Sequence, residues 1–333
     1  MYRSFLSILK FFAVAALCCL WTQTSTAATR WKCYTYLPSA TDPVYARLLK
    51  LAEQIKTATN GRVNMTCNLG GSIPMKSGNI MQAVASGVLQ FGTADSESYT
   101  GFIPFAGIIS LPGLFSNNTA LVKGYETIKP TLTKFLRKNG VRLLGNYHYP
   151  KQVIWSVNPI KSLDELKGVK IRVTTPEQAE FAKKFGALPI TLGTPEVSSA
   201  LQSGIISAAL TASSGGGRMW IDQVHYNYRV GPNYVTILLV ANESAYSKLS
   251  PEDQKQVSAL VEKAGEDMSN ILSSTEIKVT KELEKKGLKV FPSNTADEKL
   301  IREKMQPYWS QWAKAKGPEA QKLLKAVTAA SSQ

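Results

Sequence analysis

Apolar positions along this chain recur in two rhythms, short runs suited to strands and longer stripes at three- and four-residue spacing suited to helices. Residues 31–36 and 62–69 are strand-like runs, and between them Val44, Leu48, Leu51 and Ile55 stripe one helix face. Asp42 is placed to cap that helix, Pro43 to open it and Gly61 to stop it, which makes a βαβ unit. Residues 89–94 form the next strand, with Asp95-Ser96-Glu97-Ser98-Tyr99 just beyond its carboxyl end. After a strand at 141–144, the same rhythm returns at 169–173, 188–192 and 205–211, with helices opening at Pro176 and Pro195 and stopping at Gly186 and Gly204. Such alternation predicts an α/β fold with mainly parallel sheets covered by helices.

Two features tie these repeats together. An apolar run at 234–240 is suited to a strand crossing back from the second set of repeats to the first. Ser250-Pro251-Glu252-Asp253 then opens a helix whose positions Val257, Leu260, Val261, Ala264, Met268, Ile271, Leu272, Val279 and Leu283 keep helical spacing as far as Gly287. At 1.5 Å per residue it would reach roughly 50 Å, enough to span both units. A helical tail at 296–330 sets Tyr308, Trp309 and Trp312 near one face, where core packing is expected.

The most informative stretch is 162–178. Ser162 and Glu165 read as a capping box, Gly168 as a helix stop, and Val169, Ile171 and Val173 as a short apolar strand that carries Arg172. Thr175-Pro176-Glu177-Gln178 supplies a cap, a first-turn proline and a second capping box. A guanidinium inside such a strand needs an anionic partner, because burying the charge alone is expensive. That partner is either an internal Asp or Glu or a bound anion.

The run Leu166-Lys167-Gly168-Val169-Lys170-Ile171-Arg172-Val173, a following helix, the Gly186-Ala187-Leu188-Pro189-Ile190 strand, Thr194-Pro195-Glu196-Val197 and the Ala200-Leu201-Gln202-Ser203-Gly204 helix end together resemble the solute-binding proteins of tripartite ATP-independent periplasmic (TRAP) transporters, the DctP type. The resemblance extends from about Trp31 to the tail. It implies a two-lobed binding protein with crossover strands and a long helix spanning both lobes. Lobe I would comprise 29–149 and 234–272, lobe II 150–233 and 273–333, with hinges near 145–155 and 232–242. It further implies that Arg172 binds a ligand carboxylate and that Asp95, with Ser96, supplies a polar contact. In many members a second arginine stands where this chain has Gln152, so a ligand with one carboxylate and an apolar or aromatic body is expected. Near the loop 211–218, where the family often has an acid or amide, only the Thr211 and Ser213 hydroxyls are offered. Tyr36, Tyr99, Phe102, Tyr149, Trp155 and Trp220 are aromatics expected near the cleft, with Tyr36 and Trp220 the candidates for ligand contact.

Composition narrows the alternatives. With 39 Lys and Arg against 24 Asp and Glu the formal charge is +15. Arg3 and Lys10 flank an apolar run from Phe11 to Trp21 that ends in Ser25-Thr26-Ala27-Ala28, so residues 1–28 read as a signal peptide and the mature chain carries about +13. An exported, soluble periplasmic protein is expected. Cys18 and Cys19 leave a lipid-anchored alternative, which Leu17 disfavours. The lysines are scattered along helices, so no nucleic acid partner is expected. Cys33 and Cys67, on consecutive strands in an oxidising compartment, are expected to form a disulfide. His148 and His225 are too far apart in sequence to suggest a metal site, and no cofactor is called for. Absence of a Gly-x-Ser-x-Gly elbow argues against a secreted hydrolase, and neither a Walker nor a GxGxxG spacing occurs in Gly215-Gly216-Gly217. The expected partners are a small carboxylate and the membrane permease of a TRAP system, with the binding protein itself a monomer and not an enzyme. A sensory subunit for a small carboxylate would use the same residues.

Overall fold

The computed structural model describes residues 28–331. All but the last residue of the expected signal segment therefore lies outside the described residues. Two sheets organise the chain. In the first, the strand order is β2 (Val63–Asn68), β1 (Thr29–Thr35), β3 (Phe91–Ala94), β10 (Val235–Asn242) and β4 (Val141–Tyr149). In the second it is β11 (Lys289–Phe291), β9 (Tyr226–Tyr228), β5 (Val153–Ser156), β8 (Ala208–Thr211), β6 (Lys170–Val173) and β7 (Leu188–Thr191).

Both sheets are mixed rather than mainly parallel. The pairs β1–β2, β1–β3, β6–β7, β6–β8 and β9–β11 are parallel, as βα repeats require. The antiparallel pairs all involve the strands on which the chain changes sheets. β10 lies antiparallel to β3 and β4, and β5 lies antiparallel to β8 and β9. Strands β5, β9 and β11 span three or four residues each, too few for a period-two signal. β4 continues to Tyr149, five residues past the expected end, because Gly145 to Tyr149 pair with β10.

The capping expectations divide according to how local they are. Asp42 accepts from the Val44 and Tyr45 amides at the start of Pro43–Ala58, and Thr175 accepts from the Gln178 amide at the start of Pro176–Lys184. Gln178 itself reaches back to the Thr174 amide, one residue beyond the cap, at 2.8 Å. Glu165 likewise takes the Lys161 amide at 2.7 Å, so Ser162 and Glu165 form no capping box.

The long helix runs Pro251–Lys285. Its first half lies on the first sheet, held to the Pro43–Ala58 side by Arg47–Asp267 at 3.0 Å and Arg62–Asp253 at 2.7 Å. Its second half reaches the other sheet, where Leu283 packs with Trp155, Trp220 and Val224. The tail forms two helices, Thr295–Lys316 and Pro318–Ser331, broken at Gly317. Trp309 donates to the Pro112 carbonyl and Trp312 to Glu177, so both indoles are core, as expected.

Cys33 and Cys67 face each other across the β1–β2 pair, but both are buried thiols and the expected disulfide is absent. The two thiols lie close enough for one to hydrogen-bond the other. Burial, reinforced by a hydrogen bond with Cys67, pushes the Cys33 thiol well above its usual range. Among these two residues, no thiol is expected to react with a soluble disulfide reagent in the folded protein at pH 8. Both should titrate after unfolding, and fast labelling of folded protein would contradict the packing.

Contact between the long helix and β4 depends on glycine. A Cβ on Gly265 would collide with the Asn146 carbonyl oxygen, and one on Gly145 would lie 3.1 Å from the Val261 carbonyl oxygen. Gly265→Ala is therefore expected to lift the helix off the sheet and lower stability by about 1–3 kcal/mol. Urea unfolding measures this, and a midpoint equal to wild type would refute the close approach.

Candidate functional site

The carboxyl ends of six strands, β1, β3, β4, β6, β7 and β8, converge on one cavity between the two sheets. Its wall includes Asp95 and Ser96 after β3, Thr174 after β6, Thr194 after β7, and Thr211, Gly215 and Gly216 at the end of β8. Open α/β sheets present ligands to this crevice because strand carboxyl ends and helix amino ends meet there. Tyr36, Leu37, Tyr149, Met219, Val235 and Ile237 supply the apolar share of the wall. About 50 Å³ is open to atom-sized occupants, where one water needs roughly 10–15 Å³ on the same scale.

Arg172 borders this cavity from the middle of β6, opposite Ile190 on one side and Ala209 on the other. Its side chain is pinned by the sheet's own carbonyls. Nε donates to Leu192 O at 2.9 Å, Nη1 to Leu210 O at 3.4 Å, and Nη2 to the Thr194 hydroxyl at 3.4 Å. The Trp220 ring lies 5.7 Å from Cζ, within cation–π range. Among the described residues no carboxylate oxygen comes within 4.0 Å of this guanidinium, although only 3% of the residue is exposed. Burial lowers its pKa to about 10, with the charges of Glu97, Asp95 and Glu196 opposing the shift, so it stays cationic at neutral pH. The internal ion pair that the sequence left open is thus absent.

Asp95 performs two tasks at once. As the cap of Ser96–Thr100 it accepts the Ser98 amide on Oδ1 at 3.1 Å, and it also borders the cavity. Burial, then repulsion from Glu97, raises its pKa to about 7, against the opposing pull of the Ser98 hydrogen bond and Arg172. Ser96 meets Thr174 across the cavity at 3.4 Å. Tyr36 shares its hydroxyl with Tyr147 at 3.0 Å and Tyr149 at 2.8 Å, so its ring faces the cavity while its polar end is occupied. Gln152 lines the wall, its amide nitrogen donating to Pro150 O at 3.1 Å and its backbone N–H to Asn233 O at 2.8 Å.

Two candidates lie elsewhere. Ser213 turns away from the cavity into the body of the fold, where its hydroxyl accepts from Arg229 and Thr280 and its amide donates to Glu276. Thr211 stays at the wall, accepting the Gly216 amide at 3.0 Å. Trp220 is buried behind Arg172 and does not border the cavity. The three glycines serve packing: a Cβ on Gly215 would come within 2.9 Å of Tyr149, one on Gly216 would collide with Trp220, and one on Gly217 with Trp155. Sequence reasoning missed Thr174, Thr194 and Asp42 as wall residues. The first two sit just past strand ends, a position that marked Asp95 and marks them equally. Lys151, next to Gln152 in the chain, pairs with Glu298 at 3.6 Å. Among the described residues no group of three or more His, Cys, Asp or Glu is placed to hold a metal.

A cavity at facing strand ends of two sheets, joined by crossing strands and a shared helix, defines a two-lobed solute-binding protein. The chain belongs to the bacterial extracellular solute-binding proteins of family 7, the DctP family, which it matches over residues 34–315. These are the binding proteins of TRAP transporters rather than enzymes. The ectoine-binding periplasmic protein TeaA of Halomonas elongata is 32% identical over 195 residues, 55% of each chain. The 2,3-diketo-L-gulonate-binding periplasmic protein YiaO of Escherichia coli is 23% identical over 282 residues, 80% of this chain and 83% of its own. Among solved structures, DctP7, a Bordetella pertussis extracytoplasmic solute receptor binding pyroglutamic acid, superposes with a TM-score of 0.84 at 26% identity, covering 90% of this chain and 99% of its own.

Asp95 gives the site a pH signature. Its folded pKa lies above the unfolded value near 3.9, so the folded protein holds the extra proton. Its contribution is fully present below about pH 4 and is lost as pH rises through about 7. Asp95→Asn keeps an oxygen for the Ser98 amide and is expected to flatten this part of the melting profile of the ligand-free protein. Equal slopes for wild type and variant between pH 4 and 8 would contradict the burial of an ionising carboxyl.

Proposed function

We propose that this protein binds a small organic acid with a single carboxylate and an apolar or aromatic body, in the periplasm, and delivers it to the membrane subunits of a TRAP transporter. One observation carries the reading: a buried, charged guanidinium facing a cavity, fixed by backbone carbonyls and lacking any carboxylate partner among the described residues. Bound carboxylate would accept two parallel hydrogen bonds from the fork, and the desolvation cost already spent on Arg172 becomes binding energy. Gln152 and the Thr174, Thr194 and Thr211 hydroxyls offer neutral partners, so the wall contains no second free cation to hold a second carboxylate. Tyr36, Tyr149, Leu37, Val235 and Ile237 suit an apolar body. That DctP7 binds pyroglutamic acid and TeaA ectoine supports a small organic acid as the solute. Periplasmic placement is supported by those relatives. Among the described residues no helix is long and apolar enough to cross a membrane.

A thermal-shift panel of pyroglutamate, ectoine, branched oxo acids, aryl acids, C4-dicarboxylates and uronates tests the class. Stabilisation by dicarboxylates or uronates alone would refute it. With the best acid, Arg172→Ala is expected to weaken binding by roughly 30-fold to several thousand-fold, about 2–5 kcal/mol. Arg172→Lys should not restore full affinity, because an ammonium cannot make the paired hydrogen bonds. Calorimetry measures both, and binding by the alanine variant within about threefold of wild type would remove Arg172 from the site.

A further inference from the structure

One ion pair joins the two sides of the cavity. Asp42 stands at the start of Pro43–Ala58, beside the first sheet, and Arg218 follows β8 of the second. The carboxylate is divided between two duties, with Oδ1 accepting the Val44 amide at 2.8 Å and Oδ2 accepting Arg218 Nη2 at 2.5 Å. Asp42 is 3% exposed and borders the cavity, so this pair is poorly screened by water. Arg218 Nε is itself buried and has no hydrogen-bond partner, so the guanidinium leans on the one bond it makes across the cleft.

The loop that carries Arg218 is fastened at its other end. Both oxygens of Glu276, on the long helix, accept backbone amides from it, Ser213 N at 3.1 Å and Ser214 N at 2.7 Å. Arg229 closes this knot, donating to Glu276 at 3.1 Å and to the Ser213 hydroxyl at 2.7 Å. Gly215 and Gly216, which border the cavity, lie between the Glu276 anchor and Arg218. Elsewhere across the cavity the Ser96–Thr174 hydroxyl contact is longer, at 3.4 Å, and uncharged.

We infer that Arg218–Asp42 is a clasp whose formation favours the closed arrangement of the lobes, and that Glu276 is a positioning residue that presents Arg218 to Asp42. Together they set how long a solute is retained. This rests on the cavity being the solute site. A clasp between protein groups adds to closure independently of the ligand's own contacts, and its loss shifts the population toward the open form. The change falls mainly on dissociation, because the encounter with an open cleft does not involve the clasp.

The test uses stopped-flow tryptophan fluorescence with pyroglutamate, or with the acid that most stabilises wild type in the panel. Arg218→Gln and Asp42→Asn are each expected to speed dissociation at least about tenfold, with association no slower than wild type. Asparagine still caps a helix, so Asp42→Asn removes the charge while keeping the start of Pro43–Ala58. The double variant should dissociate no faster than the more affected single variant, because the residues act as one unit. Glu276→Gln should move in the same direction, and Arg218→Lys should recover part of the loss. Unchanged dissociation, or multiplied effects in the double variant, would overturn the clasp. If no acid of the panel binds wild type, the solute reading fails before any variant is made. Ligand-free small-angle scattering of wild type and Arg218→Gln then decides the clasp: a larger radius for the variant supports it, and superimposable curves overturn it.

Discussion

A desolvated guanidinium held in place without a counterion is the constraint around which the cavity is built. Taking such a charge out of water costs several kcal/mol unless it is paired. Arg172 recovers part of that through Leu192 and Leu210 carbonyls, the Thr194 hydroxyl and the face of Trp220. The fields of Glu97, Asp95 and Glu196 recover more, from beyond ion-pair distance. This leaves the fork charged, oriented and short of a partner, which is the state in which an incoming carboxylate gains most.

Such an arrangement requires rigid surroundings, and the fold supplies them from both sheets. β6 lies between β7 and β8, so the two carbonyls that hold Arg172 come from just beyond or within its neighbouring strands. Asp95 reaches the same space from the first sheet because it caps a short helix at the end of β3. The crossing strands bring the sheets together, with Gln152 and Asn233 hydrogen-bonded where the two linkers pass. The long helix lies on β4 at one end and grips the loop after β8 at the other. Its two halves thereby connect β4 to the cavity wall.

Electrostatics in the cavity is balanced rather than uniformly positive, despite the basic composition of the chain. Asp42 is neutralised by Arg218, while Asp95 titrates near neutrality because burial and Glu97 oppose its ionisation. The acidic groups near Arg172 keep it charged without occupying it.

The sequence by itself determined what depends on neighbours a few residues apart. The caps at Asp42 and Thr175, the stop at Gly168 with its positive φ, the apolar strands, and the helix Pro251–Lys285 follow from periodicity and capping chemistry. Arg172 stood out for the same reason, as one charge in an apolar strand. Tertiary structure alone decided what depends on distant partners. It placed β5, β9 and β11 in the second sheet through pairings that three or four residues cannot announce. It sent Ser213 toward Glu276 while Thr211, two residues earlier, stayed at the cavity wall. It left Cys33 and Cys67 as stacked thiols and joined Asp42 to Arg218 across the cleft. In each case the energy comes from burial and hydrogen bonding between segments whose relative position no local pattern encodes.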